Sequence, residues 1–127
     1  MRLLLDTHAF IWFVENDSNL SLTSKTIIQD ESNTILLSVV SLWEIVIKVS
    51  LKKLEISQNI EGIIRLIPEN GFEILPIFPA HLIELSQLQY YHRDPFDRLL
   101  VAQARSENVQ FVSKDEILDR YKIKRIW

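Results

Sequence analysis

The chain has 127 residues, of which 47% are hydrophobic and 24% are charged, and its formal net charge is −3. This composition predicts one folded domain over residues 1–127 and excludes a disordered chain. The acidic balance argues against binding of nucleic acid through bulk positive charge, and the absence of cysteine excludes disulfides, thiol catalysis and thiolate zinc sites.

The sequence shows neither a membrane span nor a signal peptide. No apolar run approaches the ~20 residues needed to cross a bilayer, and the opening MRLLLD is too short for the apolar region of a signal peptide. Together with the absence of cysteine, these features favour a cytoplasmic protein with no membrane partner.

The first half of the chain alternates short apolar runs with amphipathic segments. Its first run is continuously apolar and ends at Asp6, which is typical of a strand buried on both faces. Ser41 and Glu44 have the spacing of a capping box, which predicts a helix with Glu44 in its first turn. The elements predicted in this half are a strand at 2–5, helices at 7–14 and 21–30, a strand at 34–37 and a helix at 42–48.

The second half contains the helix with the clearest start signal. Asp94 is a good N-cap, Pro95 suits the first helical position, and Asp97 falls at the third position, where an acid can complete a capping box. Asp97 also shares a face with Leu100 and Ala104, so it needs a partner for its charge. The elements predicted here are a helix at 59–69, a strand at 72–75, helices at 79–88 and 94–107, a strand at 110–112, a helix at 116–120 and an edge strand or tail at 123–127.

This order of elements predicts an α/β fold of three layers, with helices on both faces of a central parallel sheet of four or five strands. Ligands bind beyond the carboxyl ends of the strands in such sheets. Asp6 and Asp115 follow predicted strands, Glu44 lies just beyond another, and Asp97 opens a helix whose start faces the same edge. We therefore expect these four carboxylates to converge, although the favourable field of a helix N-terminus would explain each acid separately.

Convergent carboxylates predict a metal site. Like charges repel unless a cation lies between them, and ligands that are all oxygen favour Mg²⁺ or Mn²⁺. A site of this kind with open water positions is typical of phosphate chemistry. Thr7 and Ser113 are candidates to position a water or a phosphate oxygen, or alternatively to cap helices. His8 and His92 lie near the acids in sequence but lack the spacing of metal ligands.

Cationic and aromatic side chains near the acids each have two explanations. The cations are candidates for holding a nucleic-acid backbone, although a solvated surface charge explains each of them better singly: Arg93, Arg98, Lys48, Lys52, Lys53 and Lys114. The aromatic residues fit a core or a partner interface better than a platform for stacking bases: Phe10, Trp12, Phe13 and Trp43.

Four segments of the chain, LLLDTHAFIW, SLWEIVIK, HRDPFDRLLVAQA and VSKDEILDRY, resemble those of PIN-domain proteins and, more narrowly, of the VapC-type toxins of bacterial toxin–antitoxin pairs. The resemblance extends from Arg2 to Trp127. It implies the PIN fold and a ribonuclease that depends on Mg²⁺ or Mn²⁺ and acts on RNA. It assigns the four acids of the family to Asp6, Glu44, Asp97 and Asp115, and the serine two residues before the last acid to Ser113. Asp94 is an alternative to Asp97 as the third acid, and otherwise it caps the helix.

The resemblance also implies a homodimer and a small cognate antitoxin protein that docks on helices near the site. Residues that could form part of the docking groove are Trp12, Phe13, Ile27 and Ile28, although core packing explains each of them singly.

Two other function classes remain open. A magnesium-dependent phosphatase or a receiver-type domain also places acids at the edge of a parallel sheet. However, His8 stands where those phosphatases have a second acid, and Asp6 lacks the adjacent acid that receivers have. A non-catalytic PIN-like binding module is the other alternative, and the complete set of four acids argues against it.

Overall fold

The computed structural model, which describes residues 1–127, has a central sheet of five parallel strands with helices on both faces. The predicted three-layer α/β architecture is confirmed. In chain order the elements are β1 (Arg2–Leu5), α1 (Thr7–Val14), α2 (Leu22–Gln29), β2 (Thr34–Ser38), α3 (Val39–Ser50), α4 (Ile60–Glu69), β3 (Glu73–Leu75), α5 (Pro79–Gln87), α6 (Pro95–Glu107), β4 (Gln110–Val112), a 3₁₀ helix (Glu116–Tyr121) and β5 (Arg125–Ile126). None of the helices has the length and apolar character needed to cross a membrane.

The register of the sheet brings three chain segments to one edge. The strand order is β3-β2-β1-β4-β5, so β1 lies at the centre. Leu5 is paired with Leu37 on one side and with Val112 on the other. Because the strands are parallel and end at nearly the same level, the residues that follow them meet at the carboxyl edge, as in other open α/β sheets.

Both faces of the sheet are buried, which explains the continuous apolar runs of the strands. Leu3 and Leu5 pack with Phe10 and the helices on one face, whereas Leu4 packs with Leu100 of α6 on the other. The alternation follows from the two-residue period of a strand. All three leucines of β1 are fully buried, so the central strand is anchored in both hydrophobic layers.

Helix α3 begins three residues earlier than the sequence predicts, and the predicted capping box of Ser41 and Glu44 is wrong. The Ser38 hydroxyl, at the end of β2, accepts a hydrogen bond from the Val40 amide and caps the helix instead. Ser41 is therefore inside the helix, and Glu44 lies in the second turn. Because Glu44 lies beyond the first turn, the helix N-terminus does not explain its burial.

The carboxyl end of α6 provides a first test of the backbone. Asn108 ends the helix in the left-handed region, with φ of 53°, and its amide donates to the Ala104 carbonyl. Asn108→Val should therefore destabilise the protein by about 1–2 kcal/mol, because a β-branched residue is strained there. Asn108→Gly should be neutral or slightly stabilising. Urea unfolding of the two variants checks this difference, and equal midpoints would contradict it.

Candidate active site

Asp6 lies at the centre of the carboxyl edge, directly after β1. Its Oδ1 accepts a 2.7 Å hydrogen bond from the Ala9 amide, so it caps α1 while the rest of its carboxylate remains at the edge. Burial raises the pKa of Asp6, and this outweighs hydrogen bonds from the Ser113 hydroxyl and the Ala9 amide, which lower it. Asp6 is therefore a partly buried acid whose charged form is disfavoured in the protein alone.

Glu44 is held by two partners from different parts of the chain. Its side chain is only 2% exposed. The Thr7 hydroxyl donates to Oε1 at 2.6 Å, and the Lys48 ammonium forms an ion pair with Oε2. The Ser41 and Thr7 hydroxyl oxygens lie 3.0 Å apart, which joins α1 to α3 beneath the carboxylate. The orientation of Glu44 is therefore fixed before any ligand binds.

Lys48 belongs to this acidic site. The pKa of Lys48 is raised above its ordinary value. Partial burial lowers it, but the hydrogen bond to Glu44 and the charges of Asp94 and Asp97 together have the larger effect in the opposite direction. The amine is engaged by the Glu44 carboxylate, so it compensates buried negative charge.

Asp94 is the N-cap of α6, as its spacing predicts. Its Oδ1 accepts hydrogen bonds from the amides of Phe96 and Asp97. The capping-box explanation for Asp97 is wrong, because the Asp94 amide donates to Nδ1 of His92 at 3.0 Å. The Asp97 carboxylate is thus free of a local capping role and points toward the edge.

His92 bridges two carboxylates, which sequence reasoning missed. Because its Nδ1 accepts from the Asp94 amide, the ring hydrogen is on Nε2. Nε2 lies 3.2 Å from Asp97 Oδ2 and 3.0 Å from Asp115 Oδ2 and donates toward both. The potential ligand atoms of His92, Asp97 and Asp115 all lie within 4.8 Å of one another. The only sequence signal was the position of the histidine two residues before the helix cap.

The negative charges that act on Asp97 come from other acids at the same edge. Burial, together with the negative charges of Asp94 and Glu44, raises the pKa of Asp97 to about 7. The charge of Asp6 acts in the same direction. Asp115 joins the group through His92 and through its own amide, which donates to the Ser113 hydroxyl. All four predicted acids, with Asp94, Thr7 and Ser113, are therefore brought to the same edge of the sheet.

The residues present fit a hard divalent cation. The acids offer carboxylate oxygens, the donors that Mg²⁺ and Mn²⁺ prefer. Burial, together with the neighbouring acids, raises the pKa values of Asp6 and Asp97, so the charged forms have a free-energy cost that a bound cation would offset. The side chains of Asp97 and Asp115 are 28% and 43% exposed, so an ion held there remains open to solvent and substrate.

Arg98 does not extend toward a substrate, and both explanations offered for it, a nucleic-acid contact and a solvated surface charge, are wrong. It is 5% exposed, and its guanidinium donates to the carbonyls of Gln89 and Leu88 and to the Tyr121 hydroxyl. Neither Arg98 nor the exposed Arg93 forms a salt bridge with the acids. Arg98 anchors the loop before α6, and the carboxylates are not splayed apart to pair with arginines.

Thr7 offers a test of how the site is held together. Thr7→Val should lower stability by about 1–3 kcal/mol, because Glu44 keeps its burial and loses a hydrogen bond. It should also weaken divalent-metal binding about 10- to 100-fold. Thr7→Ser keeps the hydroxyl and should retain most of both properties. Calorimetric Mn²⁺ titration and thermal melting measure them, and a Thr7→Val protein with wild-type values would contradict the arrangement.

A PIN domain family profile matches residues 3–124 of the chain. No curated protein matches the sequence. Among solved structures, one from VapBC2 of Rickettsia felis bound to a promoter DNA fragment has a TM-score of 0.72 at 14% identity, with the match covering 99% of this chain and 98% of that one. DNA-bound VapBC from Salmonella typhimurium gives 0.70 at 18% identity, covering 100% and 97%. VapBC-1 of nontypeable Haemophilus influenzae gives 0.68 at 17%, covering 99% and 97%.

Because these solved structures are only 14–18% identical to the chain, the likeness shows that they share its three-layer fold with a parallel sheet, and no more. The family profile spans nearly all of the chain, including every acid at the carboxyl edge. The chain therefore belongs to the PIN domain family.

Proposed function

We propose that this protein is an endoribonuclease that depends on Mg²⁺ or Mn²⁺ and hydrolyses RNA phosphodiester bonds. The observation that carries the proposal is the gathering of acids around Asp97, whose pKa is raised to about 7 by burial and by neighbouring carboxylates. Such an arrangement has a free-energy cost in the protein alone, and a bound divalent cation removes that cost.

In this proposal the metal ligands and catalytic acids are Asp6, Glu44, Asp97 and Asp115. The bound ion supplies charge stabilisation for a phosphate oxygen and lowers the pKa of a water. Asp6 and Asp97 contribute the negative charge that the protein leaves uncompensated. Supporting roles fall to Thr7, which orients Glu44, to Ser113, which contacts Asp6, and to Asp94, which caps α6.

We further propose that the nuclease is the VapC-type toxin of a toxin–antitoxin pair, a cytoplasmic homodimer that a cognate antitoxin inhibits. Support comes from the fold, which is shared with chains of several VapBC complexes. Trp12, Phe13 and Ile27 are only partly buried against the core and remain candidates for the antitoxin groove. Ile28 is 4% exposed within that core, which supports the core-packing explanation for this residue.

The nuclease proposal is tested by incubating the purified protein with a structured RNA pool in Mg²⁺, in Mn²⁺ and in EDTA. The expected result is cleavage that needs a divalent ion and is lost in Asp6→Asn. Asp30→Asn, which changes an exposed aspartate outside the site, serves as the matched control and should cleave like the wild type. Equal cleavage by wild type and Asp6→Asn would reject the site assignment.

The toxin proposal has a separate test in cells. Induction of the wild-type gene should arrest bacterial growth, and induction of the Asp6→Asn variant should not. Normal growth with the wild-type protein at an expression level equal to that of the variant would argue against a toxin, even if the purified protein cleaves RNA.

A further inference from the structure

Two adjoining clefts carry a concentration of positive charge that is unexpected in an acidic protein. The first, which we call the amino-edge cleft, has a volume of about 740 Å³ and opens where β1, β4 and β5 begin. The second, the tyrosine cleft, has a volume of about 240 Å³. Arg105 and Lys122 line both clefts, so the two form one continuous surface, which we call the basic track.

The charges of the basic track are strongly one-sided. Five of the 14 lysines and arginines of the chain line it, and only one of the 17 acids does. That acid, Glu84, is paired with Arg105. The cations that form no salt bridge are Arg2, Arg120, Lys122 and Lys124, and all four are exposed. A cleft of about 620 Å³ elsewhere is lined by Asp30, Glu31 and Glu69 and by no cation, so the two signs are segregated on the surface.

The basic track also contains an exposed aromatic ring and reaches the carboxylate site. Tyr91 lines the tyrosine cleft, is 37% exposed, and lies under the Arg120 guanidinium. The next residue, His92, donates its backbone amide to the hydroxyl of Tyr121, which lines the same cleft. One end of the track is therefore adjacent to the histidine that bridges Asp97 and Asp115.

We propose that the basic track binds the phosphate backbone of a single RNA strand whose scissile part lies at the carboxylate site. A cationic groove with aromatic rings is the arrangement that single-stranded nucleic acids favour. Arg2 and Asp6 are separated by the length of β1, about 13 Å at ~3.3 Å per residue, so an RNA strand that reaches from the amino edge to the carboxylate site must span at least that distance. The proposal rests on the proposed ribonuclease function, because it assigns the bound polyanion as that enzyme's substrate.

The test measures binding of fluorescent RNA in EDTA, where no cleavage takes place. The track variant is Lys122→Asn/Lys124→Gln, and the matched control is Lys25→Gln/Arg65→Gln, which also removes two cations but lies outside both clefts. Lys122 is exposed with a left-handed φ of 58°, which asparagine tolerates, so the track variant should fold. Thermal melting of each variant verifies this.

For an RNA of about 12 nucleotides, the track variant should bind on the order of tenfold more weakly at low salt. The slope of log affinity against log salt should fall by about 1.4, since each single-strand phosphate contact contributes about 0.7. The control pair should show neither change. Equal losses in the two pairs, an unchanged slope in the track variant, or no binding of RNA by the wild type would overturn the proposal.

These outcomes are separable from those of the nuclease assay. Track-dependent binding in EDTA, together with no cleavage in Mg²⁺ or Mn²⁺, would refute the nuclease and leave the RNA-binding track in place. Metal-dependent cleavage by a protein whose binding is insensitive to Lys122 and Lys124 would refute the track and leave the nuclease in place.

Discussion

Asp97→Asn is expected to abolish metal-dependent cleavage and, at the same time, to stabilise the metal-free protein. The loss of activity should be on the order of 10³-fold, because a ligand at the reacting phosphate is removed while the fold is kept. The gain in stability follows from the raised pKa of Asp97, since its carboxylate is repelled by Asp94 and Glu44 and is partly buried. Asparagine has similar size and no charge.

The sign of the pH effect follows from the direction of that shift. The pKa of Asp97 is about 7 in the folded protein and near 3.8 when unfolded, so folding is favoured as the pH falls through 7 and disfavoured above it. Between pH 8 and pH 6 the metal-free wild type should gain about 1 kcal/mol of stability, and the raised pKa of Asp6 acts in the same direction. Asp97→Asn should lose most of this dependence.

Urea unfolding in EDTA at pH 6 and pH 8 measures both effects. Asp30→Asn, at an exposed site with a lowered pKa, should keep the wild-type change between pH 6 and pH 8 and full cleavage activity. An Asp97→Asn protein that is less stable than the wild type at pH 8, or that cleaves RNA normally, would contradict the account.

Arg98→Met is expected to lower stability by about 3–5 kcal/mol, the largest effect on folding among the substitutions considered. The guanidinium makes three hydrogen bonds, two of them buried, and lies 3.8 Å from the centre of the Tyr90 ring. Methionine would leave the carbonyls of Gln89 and Leu88 without their donor, and each unsatisfied group costs about 1–3 kcal/mol. The Tyr121 hydroxyl keeps its hydrogen bond from the His92 amide but loses the one from the guanidinium.

Arg93→Met is the matched control, since Arg93 is exposed five residues earlier and forms no salt bridge. Its stability should differ from that of the wild type by less than about 0.5 kcal/mol. Urea midpoints compare the two. Similar small effects of both substitutions would show that Arg98 is not the anchor of the loop.

Much of the fold could be predicted from the sequence because local and global preferences agree. The strand runs are apolar on both faces, as a buried parallel sheet requires, and β1, α1 and β4 have the predicted bounds. The convergence of Asp6 and Asp115 follows from the general geometry of parallel strands. Asp94 also caps α6 as predicted, since its spacing from Pro95 is a local signal.

The features that were missed depend on distant contacts. Ser38 and Ser41 are both plausible N-caps for α3, and Ser38 caps the helix because β2 ends at that residue. The burial of Glu44 depends on a hydroxyl 37 residues away, that of Thr7. His92 acquires its bridging role through its contact with Asp115, which lies 23 residues away in the chain. Arg98 carries the positive charge expected of a substrate-binding residue, and only the tertiary packing shows that it is buried.

Calorimetric titration of Mn²⁺ into the purified protein tests the central claim most directly. The account predicts saturable binding to the wild type and at least about tenfold weaker binding to Asp6→Asn and Asp97→Asn. Glu116→Gln, which removes an exposed acid next to Asp115, should bind like the wild type. No saturable binding, or equal affinity in the wild type and both aspartate variants, would contradict the assignment of these carboxylates as a metal site.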